Sequence, residues 1–198
     1  MKNTHPYTFS LLANIKWAIK RAIKLSVLDK KIGDFLRQNF PISEVCLNLG
    51  CGVWTPYDSI IKKNSKSLIN VDATCLALVF HPLTGKKIVV NDRNIYELLK
   101  NKDVTSIVSF HSLPFIHINL PKLLLFCFEN KVSFSSDISF QSESDDISPY
   151  FYGSDRILLI DALDKTDALI YDVSNESDYI KIKANQMTHI GRYLIHIR

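Results

Sequence analysis

Val45-Cys-Leu-Asn-Leu-Gly-Cys-Gly-Val-Trp54 is the stretch on which the fold turns. A short apolar run (Val45, Cys46, Leu47, Leu49) stops at Gly50-Cys51-Gly52. Bounded runs of this length read as buried strands, and the glycines mark a turn. Without a Cβ, glycine accepts positive φ and lets peptide N–H groups come close to a ligand. Twenty-two residues after Gly50, a second apolar run (Ser67 to Val71) ends on Asp72. A glycine turn after one strand and a carboxylate at the end of the next suit a nucleoside. The acid accepts hydrogen bonds from ribose hydroxyls while the glycine backbone packs alongside. The other reading of Asp72 is a cap on the following turn.

The third glycine of a dinucleotide-binding G-x-G-x-x-G is absent, because that position holds Thr55, and Pro56 delays the helix. No phosphate-binding lysine follows, which excludes a P-loop. Leu47-Asn-Leu-Gly-Cys-Gly52 with Ile69-Asn-Val-Asp72 resembles the first motifs of class I S-adenosylmethionine (SAM)-dependent methyltransferases. The wording is common among those acting on small molecules and glycans.

The resemblance covers about residues 44–198 and is densest from Val45 to Ile116. It implies an α/β fold with a Rossmann-like, mostly parallel sheet and a C-terminal antiparallel strand pair, plus N-terminal helices. It implies SAM as cofactor, held by Gly50, Cys51 and Gly52, by Asp72 at the ribose, by Asp92 at the adenine and by Phe110 at the end of strand four. Asp92 reads equally as an Asx cap on the helix that follows. The block His111-Ser-Leu-Pro-Phe-Ile116 matches the family's His-x-Leu-Glu-His-Ile at His111, Leu113 and Ile116. His111 is the candidate catalytic base, since imidazole titrates near neutrality and can take a proton from an attacking hydroxyl. A histidine hydrogen-bonded to neighbouring backbone is the plainer alternative, and His117 is a second candidate.

The implied activity is methyl transfer to an oxygen or nitrogen of a small molecule or a sugar or glycan precursor. The block departs from the family at Pro114 and Phe115. Those departures support a different expectation: a catalytically inactive binding or regulatory protein on the same fold. No Asn-Pro-Pro-Tyr or Asp-Pro-Pro-Tyr follows strand four, which argues against methylation of nucleic-acid bases.

The chain has 198 residues, 46% hydrophobic and 22% charged, values that belong to a globular domain able to bury a core. Cys46, Cys51, Cys75 and Cys127 show no C-x-x-C pair and no metal-ligand spacing. Free thiols in a reducing, cytoplasmic compartment are expected, with no metal. No secretory signal and no apolar run long enough to span a bilayer are seen.

Residues 1–43 are expected as a helical cover, and 44–198 as the SAM-binding domain. In the cover, Leu11, Leu12, Ile15, Ala18, Ile19, Ala22, Ile23 and Val27 form a stripe at helical spacing, opposite Lys16, Lys20, Arg21 and Lys24. Residues 1–40 hold eight Lys/Arg against two Asp. That excess reads either as a solvated face or as an arm toward an anionic surface.

Residues 117–153 are expected as an insertion or lid, since Ser133 to Asp146 is rich in serine and acid. The aromatic run Tyr150-Phe-Tyr152 reads as core or as a stacking platform. A helix at 155–163 and a strand at 167–172 follow, then two alternating runs at 178–183 and 192–197. With 167–172 counted as strand five, Val173 to Ser177 leaves no room for a helix before the next strand, so that helix is missing or very short. The sheet face so opened is a candidate homodimer surface.

Overall fold

The computed structural model describes residues 11–52, 54–72, 78–79, 81, 86–90, 94–112, 118–141, 156–175, 177 and 179–198. Two helices, α1 (Leu11–Ile23) and α2 (Val27–Asn39), precede β1 (Ser43–Leu49). There follow α3 (Asp58–Lys63), β2 (Ser65–Asp72), β3 (Lys86–Val89), α4 (Ile95–Asn101), β4 (Ser106–Ser109), α5 (Leu120–Glu129), β5 (Ser133–Gln141), α6 (Arg156–Lys165), β6 (Leu169–Asp172), β7 (Ile180–Ile182) and β8 (Ile190–Ile197). These strands form one sheet in the order β3-β2-β1-β4-β5-β8-β6-β7. Pairing is parallel from β3 through β5, whereas β8 lies antiparallel between β5 and β6. This is the expected Rossmann-like architecture. The order reverses between β1 and β4, where ligands settle beyond the carboxyl ends of the strands in open α/β sheets.

The start of α2 is set by its sequence. Ser26 accepts the Asp29 N–H at 3.1 Å, and the Asp29 carboxylate accepts the Ser26 N–H at 3.1 Å, a reciprocal capping box. The inner side of α2 buries Ile32, Phe35 and Leu36 against Cys46, Tyr57, Val108, Phe110 and Leu194. The opposite face of the sheet packs on α4, α5 and α6 through Leu98, Leu123, Leu159 and Leu163. α2 is therefore part of the core. Among the described residues, no helix is long and apolar enough to cross a membrane.

The largest correction to the expectation is β5. Ser133–Gln141 is a nine-residue strand inside the sheet, between β4 and β8, and not part of a loop. Alternation was present but diluted. Phe134, Ile138 and Phe140 point into one core, and Ser136 holds the fourth position of that face. The serines are tolerated inside because each finds an acceptor or donor. Ser136 Oγ donates to the Ser109 carbonyl, and Ser135 Oγ lies 2.8 Å from His196 Nδ1.

With β5 in place, α6 is the helix between strands five and six. It is not missing, and the argument for an open dimer face falls with the missing helix. The two C-terminal runs are strands, but each pairs with β6 and not with the other. Residues 142–153, including Tyr150-Phe-Tyr152, lie outside the described residues.

His196 on β8 is buried, and burial holds its pKa down at about 4 from the ordinary 6.5, with Arg198 adding to the effect. The unfolded imidazole takes up a proton below 6.5, while the folded one resists until about 4. Stability is thus fully present above about pH 6.5 and drains away as pH falls toward 4, by on the order of 3 kcal/mol. Denaturant titrations across this window should show the decline, and His196→Gln should flatten it. Equal slopes for both proteins would refute the assignment.

Candidate functional site

The site lies at the carboxyl edge of β1, β2 and β4. After β1, Gly50 and Gly52 take φ of 68° and 57°, the left-handed conformation that disfavours a side chain. The Gly50 and Cys51 N–H groups both donate to the Val71 carbonyl, at 2.7 and 3.2 Å. The Gly52 N–H donates to Asp72 Oδ2 at 3.0 Å. The glycine turn is thus folded back onto the last two residues of β2. Asp72 is 8% exposed, a carboxylate sheltered at the mouth of the sheet.

Cys51 is buried in the turn. Burial first, then the nearby Asp72 and Asp58, push its thiol well above the usual value. It stays protonated and contributes backbone and volume, not a nucleophile.

A second buried acid stands beside the turn. Asp58, the first residue of α3, accepts the Thr55 N–H at 3.0 Å and the Thr55 hydroxyl at 2.5 Å. The buried His81 ring lies 3.3 Å from the same carboxylate. The Thr55-x-x-Asp58 spacing is a helix-start signature and was there to be read in the sequence. The contribution of His81 had no sequence signal.

Beyond β4, the Ser112 hydroxyl donates to the Leu49 carbonyl at 3.1 Å and ties this turn to the glycine turn. Between them sits His111, a non-glycine residue at φ 58°. Non-glycine residues hold this conformation only where their surroundings enforce it. Here the enforcement comes from Asp137 on β5. Its carboxylate accepts the His111 N–H at 2.6 Å and lies 3.3 Å from His111 Nδ1. Burial alone would raise the Asp137 pKa, but the His111 charge, its two hydrogen bonds and Arg192 reverse this and hold it low. On the other side, Asp29 of α2 places Oδ1 3.4 Å from His111 Nε2, and the Asp29 side chain is fully buried. The imidazole is bracketed by two carboxylates, one from the sheet and one from the N-terminal helix. Neither acid was singled out from sequence. Asp137 was hidden in a strand read as loop, and Asp29 read only as part of the N-terminal helical cover.

Phe110 has a mainly structural setting: its ring is buried edge-on to Tyr57 at 5.3 Å and to Phe35 at 6.5 Å. Tyr57 packs in the same cluster. Asp92 and His117 lie outside the described residues. The structure therefore brings together Gly50, Cys51, Gly52, Asp72, Phe110 and His111 of the expected set. Among the described residues no group of three or more His, Cys, Asp or Glu has the geometry to hold a metal ion.

No family model matches the chain, and no curated protein matches it in sequence. Solved structures do match. A SAM-dependent methyltransferase from Clostridium acetobutylicum aligns over 93% of this chain and 99% of its own, with a TM-score of 0.58 and 14% identity. One from Archaeoglobus fulgidus aligns over 92% and 98%, with a TM-score of 0.56 and 15% identity. The N-terminal domain of EvdMO1, solved in the presence of S-adenosylhomocysteine (SAH) and D-fucose, aligns over 86% and 82%, with a TM-score of 0.56 and 10% identity. Sheet order, strand directions and these alignments agree: the chain has the fold of the SAM-dependent methyltransferases.

Proposed function

We propose that the protein is a SAM-dependent methyltransferase acting on an oxygen or nitrogen of a small molecule or a sugar or glycan precursor. The observation that carries this is the glycine turn at positive φ, hydrogen-bonded to a sheltered Asp72, at the point where the sheet order reverses. A cradle of side-chain-free backbone with a neighbouring acid fits a nucleoside that has no phosphates to bind.

In this reading Gly50, Cys51 and Gly52 approach the cofactor and Asp72 holds its ribose, with Asp92 at the adenine. When bound, SAM supplies an electrophilic methyl group on sulfonium sulfur. The protein's part is to align the acceptor and exclude water. His111 takes the acceptor's proton at Nε2, and Asp137 fixes the ring through the other nitrogen and the backbone. Asp29 occupies the Nε2 side, so an acceptor hydroxyl must take its place. The sugar in the EvdMO1 domain supports a sugar-like acceptor by analogy of fold alone.

The bracketing of His111 also supports the second reading, a binding or regulatory protein whose imidazole is a structural tie. Calorimetry with SAM and SAH, followed by labelled methyl transfer into small-molecule and glycan acceptors, separates them. Micromolar binding with transfer, lost in His111→Ala, is the expected result. Binding without transfer to any acceptor class favours the regulatory reading. Absence of binding to both nucleosides overturns the cofactor site itself.

A further inference from the structure

α1 presents large apolar side chains to the outside of the molecule. Its apolar residues do not all go inside: Leu12, Ile19 and Ile23 are 71%, 55% and 81% exposed. With Ile15 they follow one another at steps of three and four, so they share one side of the helix. Lys16 and Lys20 are exposed on the flank of that side. Leu25 and Val27, just beyond the helix, are also partly exposed. The first acid in the chain is Asp29, and five Lys/Arg precede it.

We propose that α1 lies in the surface of an anionic membrane, with its aliphatic side in the acyl boundary and its lysines among the headgroups. Three alternatives fit the same residues less well. A nucleic acid would use the lysines but leave the isoleucines in water. A second copy of α1 would cover the apolar side but would bring two cationic flanks together with no acid in the helix to relieve them. A protein groove would need dense acids around an apolar slot, and an anionic lipid surface offers that combination without further design. At thirteen residues the helix is about 20 Å long, too short for a hydrocarbon core of about 30 Å, so it lies flat and does not cross.

The association follows from chain geometry as well as charge. α1 is joined to α2 by Lys24–Ser26, and α2 carries Asp29 onto His111. A membrane-bound α1 keeps the helix that closes the site close to the lipid surface.

The test is co-sedimentation of the full chain with phosphatidylglycerol-rich vesicles and with pure phosphatidylcholine vesicles. Binding to the anionic vesicles, weakened by salt, is expected. Lys16→Ala and Lys20→Ala should each weaken it by roughly fivefold. Ile19→Ser combined with Ile23→Ser should weaken it at least about tenfold at unchanged charge. These side chains are exposed, so circular dichroism and SAM affinity should match the wild type. No sedimentation with anionic vesicles overturns the proposal. Sedimentation indifferent to the isoleucine changes also overturns it, because that would be simple charge adsorption. Neither outcome touches the SAM reading, which calorimetry decides separately.

Discussion

Asp137→Ala is expected to lower the stability of the folded chain by about 3 kcal/mol, the scale for removing one partner of a buried charged hydrogen-bonded pair. In a protein of this size that is a drop in melting temperature of roughly 6–12 °C. Two bonds to one residue are lost together: the 2.6 Å acceptor of the His111 N–H and the carboxylate facing its ring. The loss matters more because His111 sits at φ 58°, a conformation that its surroundings must enforce. Asp137→Asn keeps one acceptor and should fall between wild type and alanine. Thermal melts read the result directly. An alanine variant that melts within a degree or two of wild type would show that the bracket does not hold the turn. If His111 is the base, the same variant should lose methyl transfer more steeply than SAM affinity, because Asp137 touches the imidazole and not the glycine turn.

Asp72→Ala is expected to weaken SAM and SAH binding by about 10–100-fold, equivalent to roughly 1–3 kcal/mol for hydrogen bonds to a charged acceptor. Asp72 also accepts the Gly52 N–H, so part of the loss comes through a loosened turn. Asp72→Asn separates these effects. It retains one oxygen for Gly52 but lacks the charge and the second acceptor that a pair of ribose hydroxyls needs. Calorimetry well below the melting temperature gives the affinities. Alanine binding as tight as wild type would remove Asp72 from the cofactor while leaving the fold intact. Wild-type protein that binds neither nucleoside would remove the function.

The parts of the fold legible in the sequence were those where local chemistry and global position agree. Leu47 and Leu49 form an apolar strand because both faces of β1 are covered, and the following glycines have to turn. The β5 strand was illegible because buried serines dilute the apolar alternation of Phe134, Ile138 and Phe140. Ser135 and Ser136 look like loop residues until His196 and the Ser109 carbonyl are brought beside them by the sheet. Misplacing that strand moved every later element one place along the topology.

The site divided in the same way. Gly50, Gly52 and Asp72 were legible because they are fixed by their own strand ends. Asp29 and Asp137 were not, since they meet His111 across 82 and 26 residues of chain and nothing local marks them. In both acids, the residue's value is decided by a partner that only the sheet supplies.

Asp29 has two occupations that share one side chain. Its Oδ2 closes the first turn of α2 through Ser26, and its Oδ1 faces His111. The winding of that turn and the closing of the site are therefore linked equilibria. A molecule that draws His111 away from Asp29 acts on the same carboxylate that starts the helix. Equally, whatever steadies the start of α2 favours the closed imidazole. One carboxylate thus stands at both the helix start and the imidazole, and a change at either is a change in the partner of the other.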